Sequence, residues 1–213
     1  MEYKLPKIFL DEIYYARINL LKRFVRGEQM SFEKLVLEFT RATPAIITYG
    51  PAGLSGSIKM VGFVPKKEVI EQQARKAVKY AYDTKPLGLG QVSKILLEEF
   101  YREELLDLRL IGGLEMGFRH SWTNIRATRR ATLLYFIPPD TSFEVRCSVE
   151  IHEDKEDPYK IYLNALHDLF HKPRRGRSNY PAYIFRIEEI YDNSNTVEGF
   201  GRKIYPISEP IPR

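Results

Sequence analysis

The sequence predicts an α+β protein with an antiparallel β-sheet. The clearest strand is FEVRCSVEIH (143–152), where apolar residues at odd positions alternate with polar residues at even positions. An unbroken apolar run, ATLLYFI (131–137), precedes it and is joined to it by the turn sequence PPDT. Period-two alternation is typical of a half-buried strand, and strands joined by a short turn pair antiparallel. Helical stripes on both sides of this pair supply the α part of the class.

Two helices are predicted before the first strands. The stripe of the first helix, within 11–26, consists of Ile13, Ala16, Leu20 and Phe24, at spacings of three and four. Gly27 ends it. Ser31 is suited to cap a second, short helix, SFEKLVLEFT, with Glu33 in the first turn, where a carboxylate favours the exposed amides.

The segment after these helices changes to β-type residues. Two β-rich runs, Ala45 to Tyr49 and Ser57 to Val64, surround a glycine-rich loop and predict a hairpin that ends at Pro65. Two helical stripes follow within 65–83 and 90–106, separated by DTKPLGLG. The run LRLIGGLEMGF (108–118) predicts a strand with a bulge or a close backbone approach at its paired glycines.

The last third of the chain predicts a helix, a strand and a tail. Asp157 before Pro158 is an N-cap followed by proline at the first helical position, and the helix continues to a stop at Pro173. AYIFRIEEIY (182–191) predicts a final strand. Prolines in the residues after it predict an extended tail.

Composition restricts the classes of function. The chain has 213 residues and a net charge of +5, from 33 Lys and Arg against 28 Asp and Glu. This excess of positive charge is smaller than is usual for a protein that covers nucleic acid. It lacks a run of 18 apolar residues and the regions of a signal peptide, so we expect a cytoplasmic protein that does not enter a membrane. A single cysteine, Cys147, excludes an internal disulfide and a cysteine-rich zinc site.

Several possible sites favour structural interpretations. The loop GPAGLSGS (50–57) is neither a Walker motif nor a dinucleotide fingerprint and is interpreted as a hairpin loop. His167 and His171 have metal-ligand spacing, but Asp168 is one methylene shorter than the glutamate of zinc proteases, so we expect no metal. Cys147 lies on the apolar side of its strand, which favours a core residue over a nucleophile.

Two basic clusters without acidic residues remain. RHSWTNIRATRR (119–130) contains Arg119, Arg126, Arg129 and Arg130, and the loop after the last helix contains Lys172, Arg174, Arg175 and Arg177. A phosphate-binding helix, a nucleic-acid surface and a solvated basic face all remain open from the residues alone. Trp122 and Tyr180 are the only nearby candidates for base stacking.

The element order from 106 to 190 resembles that of the flavin-binding split-barrel family, which includes pyridoxamine phosphate oxidases and flavin reductases. In that family a segment similar to Ser/Thr-x-x-Asn-Ile/Leu-x-Arg opens a short helix between two strands. Ser121, Thr123, Asn124 and Ile125 occupy matching positions, and IHEDKEDPY resembles the family's acidic strand-to-helix turn. Two predicted helices separate the 45–64 hairpin from this region, so the sequence leaves open whether the hairpin joins the same sheet.

The resemblance implies an antiparallel split β-barrel-like core with additional helices at the N-terminus and in an insertion. It also implies FMN as cofactor, oxidoreductase activity on an unknown small-molecule substrate, and a homodimer with the flavin at its interface. The cofactor residues implied are Arg119, Ser121, Trp122, Thr123 and Asn124, with Arg174 and Arg175 reaching across the interface. Catalytic residues are not identified.

A helix that begins at Ser121 would present free amides and the positive end of its dipole to a phosphate. The hydroxyls of Ser121 and Thr123 could donate to phosphate oxygens, and Arg119 could add a charge-assisted contact. Arg126, Arg129 and Arg130 lie toward the other end, where cations favour the helix dipole without a ligand.

The predicted division of the chain is a helical appendage (1–42), a split-barrel-like domain (43–192) with a helical insertion (65–106), and an extended tail (193–213). Two other functions stay open: a basic nucleic-acid-binding protein, and a degenerate split barrel that lacks a cofactor and serves as an assembly subunit.

Overall fold

A computed structural model describes residues 4–83, 87–172 and 176–206 of the chain. The strands are β1 (Ala45–Thr48), β2 (Ser55–Ile58), β3 (Val61–Pro65), β4 (Leu106–Leu114), β5 (Arg130–Ile137), β6 (Thr141–His152), β7 (Ala182–Asp192) and β8 (Arg202–Tyr205). The helices are α1 (Lys7–Leu10), α2 (Ala16–Val25), α3 (Phe32–Thr40), α4 (Ile70–Tyr82), α5 (Leu89–Ile95), α6 (His120–Thr128) and α7 (Pro158–His171). π-Helical turns at Asp11–Tyr15 and Leu96–Phe100 and a 3₁₀ turn at Glu103–Leu105 complete them.

The sheet is antiparallel and its strand order runs around a barrel. The order is β2, β1, β5, β6, β7, β4, β3, and β8 pairs with β7. Only Lys59 and Met60 separate β2 from β3, so the two ends of this order are halves of one bent strand. The α+β class with an antiparallel split-barrel-like core is therefore confirmed.

The predicted hairpin at 45–64 joins this sheet, which answers the question left open by the sequence. Its first half is a true hairpin, with Ala45 paired to Ile58 and Thr48 to Ser55. Its second half leaves β1 and pairs with β4, where Val61 lies opposite Gly113. The predicted single strand from Ser57 to Val64 is thus wrong in one respect, because the chain bends at residues 59–60 and changes partner.

The first helical segment packs into the barrel core. Phe9 is fully buried and contacts Phe143 edge to face, with ring centroids 5.4 Å apart. Ile13 and Tyr14, one turn further, are also buried. The segment predicted as part of an appendage therefore contributes to the core, while the predicted domain boundaries stay predictions.

Helices α4 and α7 lie against each other, and α7 covers part of β4. Gly112 permits this contact, because a Cβ there would lie 2.4 Å from Val64 Cγ1 and 3.0 Å from Leu163 Cδ1. The predicted close approach at the paired glycines is made by side chains, which pack directly against the bare backbone of Gly112. The irregular pairing of β3 with β4 lies beside it, between Phe63 and Val64.

Two boundaries differ from the expectations. Strand β4 ends at Leu114 because the chain then turns around the Glu115 carboxylate, which accepts the amides of Gly117 and Phe118. Helix α6 begins at His120, one residue earlier than expected, because the Arg119 carbonyl already accepts the Thr123 amide at 3.1 Å.

The tail predicted to be extended contains a short strand, since β8 pairs with the end of β7. Residues 207–213 of that tail lie outside the described residues. Among the helices described, each is too short or too polar to cross a lipid bilayer.

Candidate functional site

Helix α6 is attached to the β1–β2 hairpin by one buried side chain. Asn124 is fully buried; its Oδ1 accepts the Ala52 amide at 2.8 Å and its Nδ2 donates to the Gly53 carbonyl at 2.7 Å. A second Nδ2 hydrogen bond reaches Thr48 Oγ1 at 3.2 Å. Gly50 lies so close that a Cβ there would be 2.9 Å from Asn124 Oδ1. The glycine-rich loop is thus a hairpin loop, as predicted, and Asn124 fixes it to α6.

A buried carboxylate fixes the turn that leads into α6. Glu115 is 1% exposed; its Oε1 accepts the amides of Gly117 and Phe118, each at 2.7 Å. Its Oε2 lies 2.9 Å from Lys59 Nζ and accepts the Tyr183 hydroxyl at 2.8 Å. Burial disfavours the charged form, but these donors outweigh it and hold the pKa of Glu115 below its usual value. Because Lys59 balances this charge, the carboxylate opposes an anion at the adjacent helix start only weakly.

The start of α6 has no side-chain cap. Arg119 occupies the N-cap position, and an arginine side chain has no oxygen that could accept the first amides. The amides of His120, Ser121 and Trp122 therefore have no acceptor within the helix, and they coincide with the positive end of its dipole. The Arg119 side chain is exposed and forms no ion pair within the described part of the chain.

A pair of serine hydroxyls lies beside these amides. Ser121 Oγ is 3.0 Å from Ser57 Oγ of strand β2, and Ser121 is 6% exposed. One hydroxyl must donate to the other, which leaves one proton of the pair available to a further acceptor. The exposed Thr123 hydroxyl is instead directed back to the Arg119 carbonyl, at 3.4 Å.

Trp122 is half-buried beside this region. Its ring contacts Phe118 edge to face at 5.6 Å and Tyr183 at 6.0 Å, and the Arg126 guanidinium lies 5.0 Å from its centroid. As the only tryptophan, it is a fluorescent reporter next to the helix start.

The structure thus brings Arg119, Ser121, Trp122, Thr123 and Asn124 together on one short helix. Arg174 and Arg175 lie outside the described residues. Sequence reasoning missed Glu115, Lys59 and Ser57, which hold or complete the site from other strands. Ser57 is the last residue of GPAGLSGS, but no local sequence pattern indicates that strand β2, which carries it, lies against α6.

Two of the three arginines at the other end of α6 pair with acids that are distant in sequence. Arg126 Nη1 lies 3.3 Å from Glu153 Oε1, and Arg130 forms an ion pair with Glu188. The sequence around these arginines contains no acidic residue, but the fold brings acidic side chains from β7 and from the segment after β6 next to them. This agrees with the expected difference between the two ends of the helix.

The other candidate groups have structural partners. Asp168 is buried and accepts the Tyr82 hydroxyl at 2.6 Å and the Ser178 amide at 2.7 Å. His167 Nδ1 lies 3.0 Å from Asp168 Oδ1. Cys147 is buried, and burial raises the pKa of its thiol, as expected for a core residue.

A separate cleft of about 1150 Å³ lies on the outer side of β4, β6 and β7. Its lining includes His152, whose Nδ1 lies 2.7 Å from the Oδ2 of Asp157, the N-cap residue of α7. Acidic and basic side chains are mixed along it, and its lining includes none of the predicted cofactor residues that the structure describes.

The fold and the site define a class: an antiparallel β-barrel protein with an uncapped, serine-flanked helix start that is suited to an anion. The chain is similar to HupZ of Group A Streptococcus (11% identity, 82% of this chain and 98% of that chain, TM-score 0.45). It is also similar to an F420 reductase (15%, 76% and 97%, 0.41) and to an FMN-binding protein from Syntrophomonas wolfei (10%, 89% and 95%, 0.34). No family model and no curated protein sequence matches the chain.

Proposed function

We propose that this chain binds FMN, with the phosphate at the start of helix α6. The observation that carries the proposal is the uncapped helix start. It combines free amides, the Ser57 and Ser121 hydroxyl pair, and Arg119, which forms no ion pair within the described part of the chain. Helix starts with free amides bind phosphate through hydrogen bonds and the helix dipole. The element order from 106 to 190 adds the family resemblance that suggests a flavin.

The donors present suit a phosphate monoester. Its oxygens can accept the amides of His120 to Trp122 and the remaining proton of the serine pair. Arg119 can close over the outer oxygens with a charge-assisted, bidentate contact. Asn124 and Glu115 contribute indirectly, because they fix the hairpin loop and the turn on either side of the helix start.

Side chains near the helix start favour a ring as the rest of the ligand. Phe118 and Met116 are each 48% exposed in the turn that Glu115 holds. A bound flavin would supply the hydride or electron chemistry of an oxidoreductase. The chain would orient it through the phosphate and these apolar contacts, and a small molecule would be the substrate.

A comparison of FMN with riboflavin tests the phosphate site directly. The two ligands differ only in the phosphate, so we expect FMN to bind at least about tenfold more tightly. Quenching of Trp122 fluorescence and of flavin fluorescence measures both affinities. Arg119→Ala should weaken FMN binding roughly ten- to hundredfold and leave riboflavin binding unchanged.

Arg130→Ala is the matched control. Arg130 belongs to the same basic cluster, but it lies beyond the opposite end of α6 and pairs with Glu188, so the variant should bind FMN like the unmodified chain. Equal affinity for FMN and riboflavin, or equal losses in the two variants, would reject the phosphate site. A chain that binds neither ligand would reject FMN binding and favour the degenerate barrel. Salt-sensitive binding of DNA or RNA in its place would favour the nucleic-acid hypothesis.

A further inference from the structure

A small polar cavity lies between the first helical segment and the barrel. Its volume is about 10 Å³, which is enough for one occupant of the size of a water molecule or a small ion. Its walls are partly apolar, from Ile13, Phe63 and Ile111, and no residue of α6 lines it. The polar side chains that line it are Tyr14, Arg17, Arg41, Tyr101 and Tyr135.

The Tyr135 hydroxyl on this lining has no partner in the described part of the chain. Tyr135 is fully buried on β5, and its hydroxyl forms no hydrogen bond to a described residue. Burial raises the pKa of Tyr135, and the positive charge of Arg17 offsets this only in part, so the hydroxyl keeps its proton. Buried polar groups are nearly always hydrogen-bonded. A buried donor on the wall of a cavity therefore indicates an acceptor inside the cavity.

Arg17 brings a positive charge to the same cavity. Its Nη1 donates to the Val61 carbonyl at 3.0 Å, and its guanidinium carbon lies 5.3 Å from the centre of the Tyr101 ring. Among the residues that the structure describes, no carboxylate forms an ion pair with it. Arg23, on the same helix, is paired with Glu28 at 2.9 Å. Because a partly buried cation is normally paired, Arg17 is the exception on this helix.

The carboxylates on the surrounding segments are bound to other groups. Glu12 forms an ion pair with Arg41, and Glu103 accepts the Tyr15 hydroxyl at 2.9 Å. Arg41 also lies 3.4 Å from Glu38, but its buried Nε has no hydrogen-bond partner among the described residues. The charge of Arg17 is thus not balanced by these acids.

The groups around the cavity are donors. An arginine side chain can only donate, and the Tyr135 hydroxyl has a proton to give. Two carbonyl oxygens beside the cavity are already used, since Val61 accepts Arg17 and Tyr101 accepts the Tyr14 hydroxyl at 3.0 Å. A water molecule requires acceptors for its own protons, whereas an anion only accepts. The donor set therefore favours an anion over water.

The backbone around the cavity is irregular in a way that makes room for it. Tyr14 lies in the π-helical turn Asp11–Tyr15, and Tyr101 directly follows the π-helical turn Leu96–Phe100. Such turns are frequent at functional positions. Gly62 lies opposite, where a Cβ would be 3.1 Å from the Tyr101 hydroxyl oxygen and 3.7 Å from Arg17 Nη1.

We propose that this cavity binds one small monovalent anion, a halide such as chloride, through the Arg17 guanidinium and the Tyr135 hydroxyl. A single negative charge balances the single guanidinium that lacks a carboxylate. The cavity is too small for a phosphate group, so the site is separate from the one proposed for FMN. The bound ion would join the first helical segment to strand β5 and stabilise the fold.

Thermal unfolding of the full chain without FMN tests the proposal, with sodium gluconate replaced stepwise by sodium chloride at constant ionic strength. A ligand that binds only the folded chain raises the melting temperature. We expect a rise of roughly 3–10 °C at chloride concentrations ten- to hundredfold above Kd. Crystals grown with sodium bromide should show an anomalous peak between Arg17 and Tyr135.

Two variants remove the proposed ligands. Tyr135→Phe deletes a hydroxyl that has no partner among the described residues, so in gluconate it should melt no lower than the unmodified chain. It should nevertheless lose most of the chloride-dependent rise. Arg17→Gln should lose all of it. If Arg17→Gln fails to fold, Tyr135→Phe alone decides the question.

The matched controls should retain the rise. Arg23→Gln removes a paired arginine from the same helix, and Tyr183→Phe removes the hydroxyl of another buried strand tyrosine, which is bonded to Glu115. Arg119→Ala shows that the start of α6 is not the source of the effect.

Equal melting temperatures in chloride and gluconate would overturn the proposal and assign the cavity to water. A chloride-dependent rise that persists in Tyr135→Phe and Arg17→Gln, or a bromide peak that is found only outside the cavity, would also overturn it. None of these results depends on FMN.

Discussion

Removing the charge of the buried Glu115 carboxylate should destabilise the barrel. Replacement by Gln keeps the shape and lets one oxygen accept the Gly117 and Phe118 amides. It removes the charge and places an amide group, which donates hydrogen bonds, opposite Lys59 Nζ, which also donates. Removing one partner of a buried ion pair costs about 3–5 kcal/mol. The Lys59 side chain is 13% exposed and regains some hydration, so we expect a loss of about 3 kcal/mol in the free energy of unfolding.

Urea unfolding followed by Trp122 fluorescence measures this loss, because Trp122 contacts Tyr183, which donates to Glu115. Glu153→Gln is the control. Glu153 pairs with Arg126 on the surface, where removal of an ion pair costs roughly 0–1 kcal/mol. If Glu115→Gln loses no more free energy than Glu153→Gln, the buried charge of Glu115 and its ion pair with Lys59 do not stabilise the fold.

The same variant has a pH signature. The pKa of Glu115 is lower in the folded chain than in the unfolded chain, so its stabilisation is complete above the unfolded value and is lost as the pH falls through the folded value. The stability difference between the unmodified chain and Glu115→Gln should therefore shrink on acidification below about pH 4.5. A difference that stays constant down to the acid transition would contradict an ionised Glu115.

Two further predictions concern close packing and the loop contact. Asn124→Ala should lower the free energy of unfolding by about 2–4 kcal/mol in a denaturant titration, because it removes three hydrogen bonds and leaves the Ala52 amide unpaired; a loss under 1 kcal/mol would contradict this. Gly112→Ala should cost about 1–3 kcal/mol, because its Cβ would overlap Val64, whereas Gly88→Ala has space and serves as the control. Equal melting temperatures for the two alanine variants would refute the packing argument.

Local patterns predicted most elements of the fold. The predicted Asp157 cap is confirmed, because its carboxylate accepts the Lys160 amide at 3.0 Å. The predicted alternating strand is confirmed as β6. These signals are contained in a few neighbouring residues. The bend at Lys59 and Met60 could not be predicted in this way, because alternation shows that a segment is a strand but not which strand it pairs with.

The candidate site was predictable only in part. The helix start was visible in Ser121 and Asn124, but the partners that give these residues their roles come from strands 60 to 80 positions away, such as Ser57 for Ser121. Arg126 and Arg130 looked unpaired because Glu153 and Glu188 are distant in sequence. Long-range pairing of this kind requires the three-dimensional fold.

The bent strand formed by β2 and β3 also determines how the ring can close. Its first half, β2, pairs with β1, to which it is joined by a short loop. Its second half, β3, pairs with β4, from which it is separated along the chain by the helices of residues 65–106. The first pairing closes a short loop and loses little chain entropy, whereas the second closes a longer loop and loses more. We therefore expect the contact between β3 and β4 to be the seam of the barrel, formed after the β1–β2 hairpin during folding.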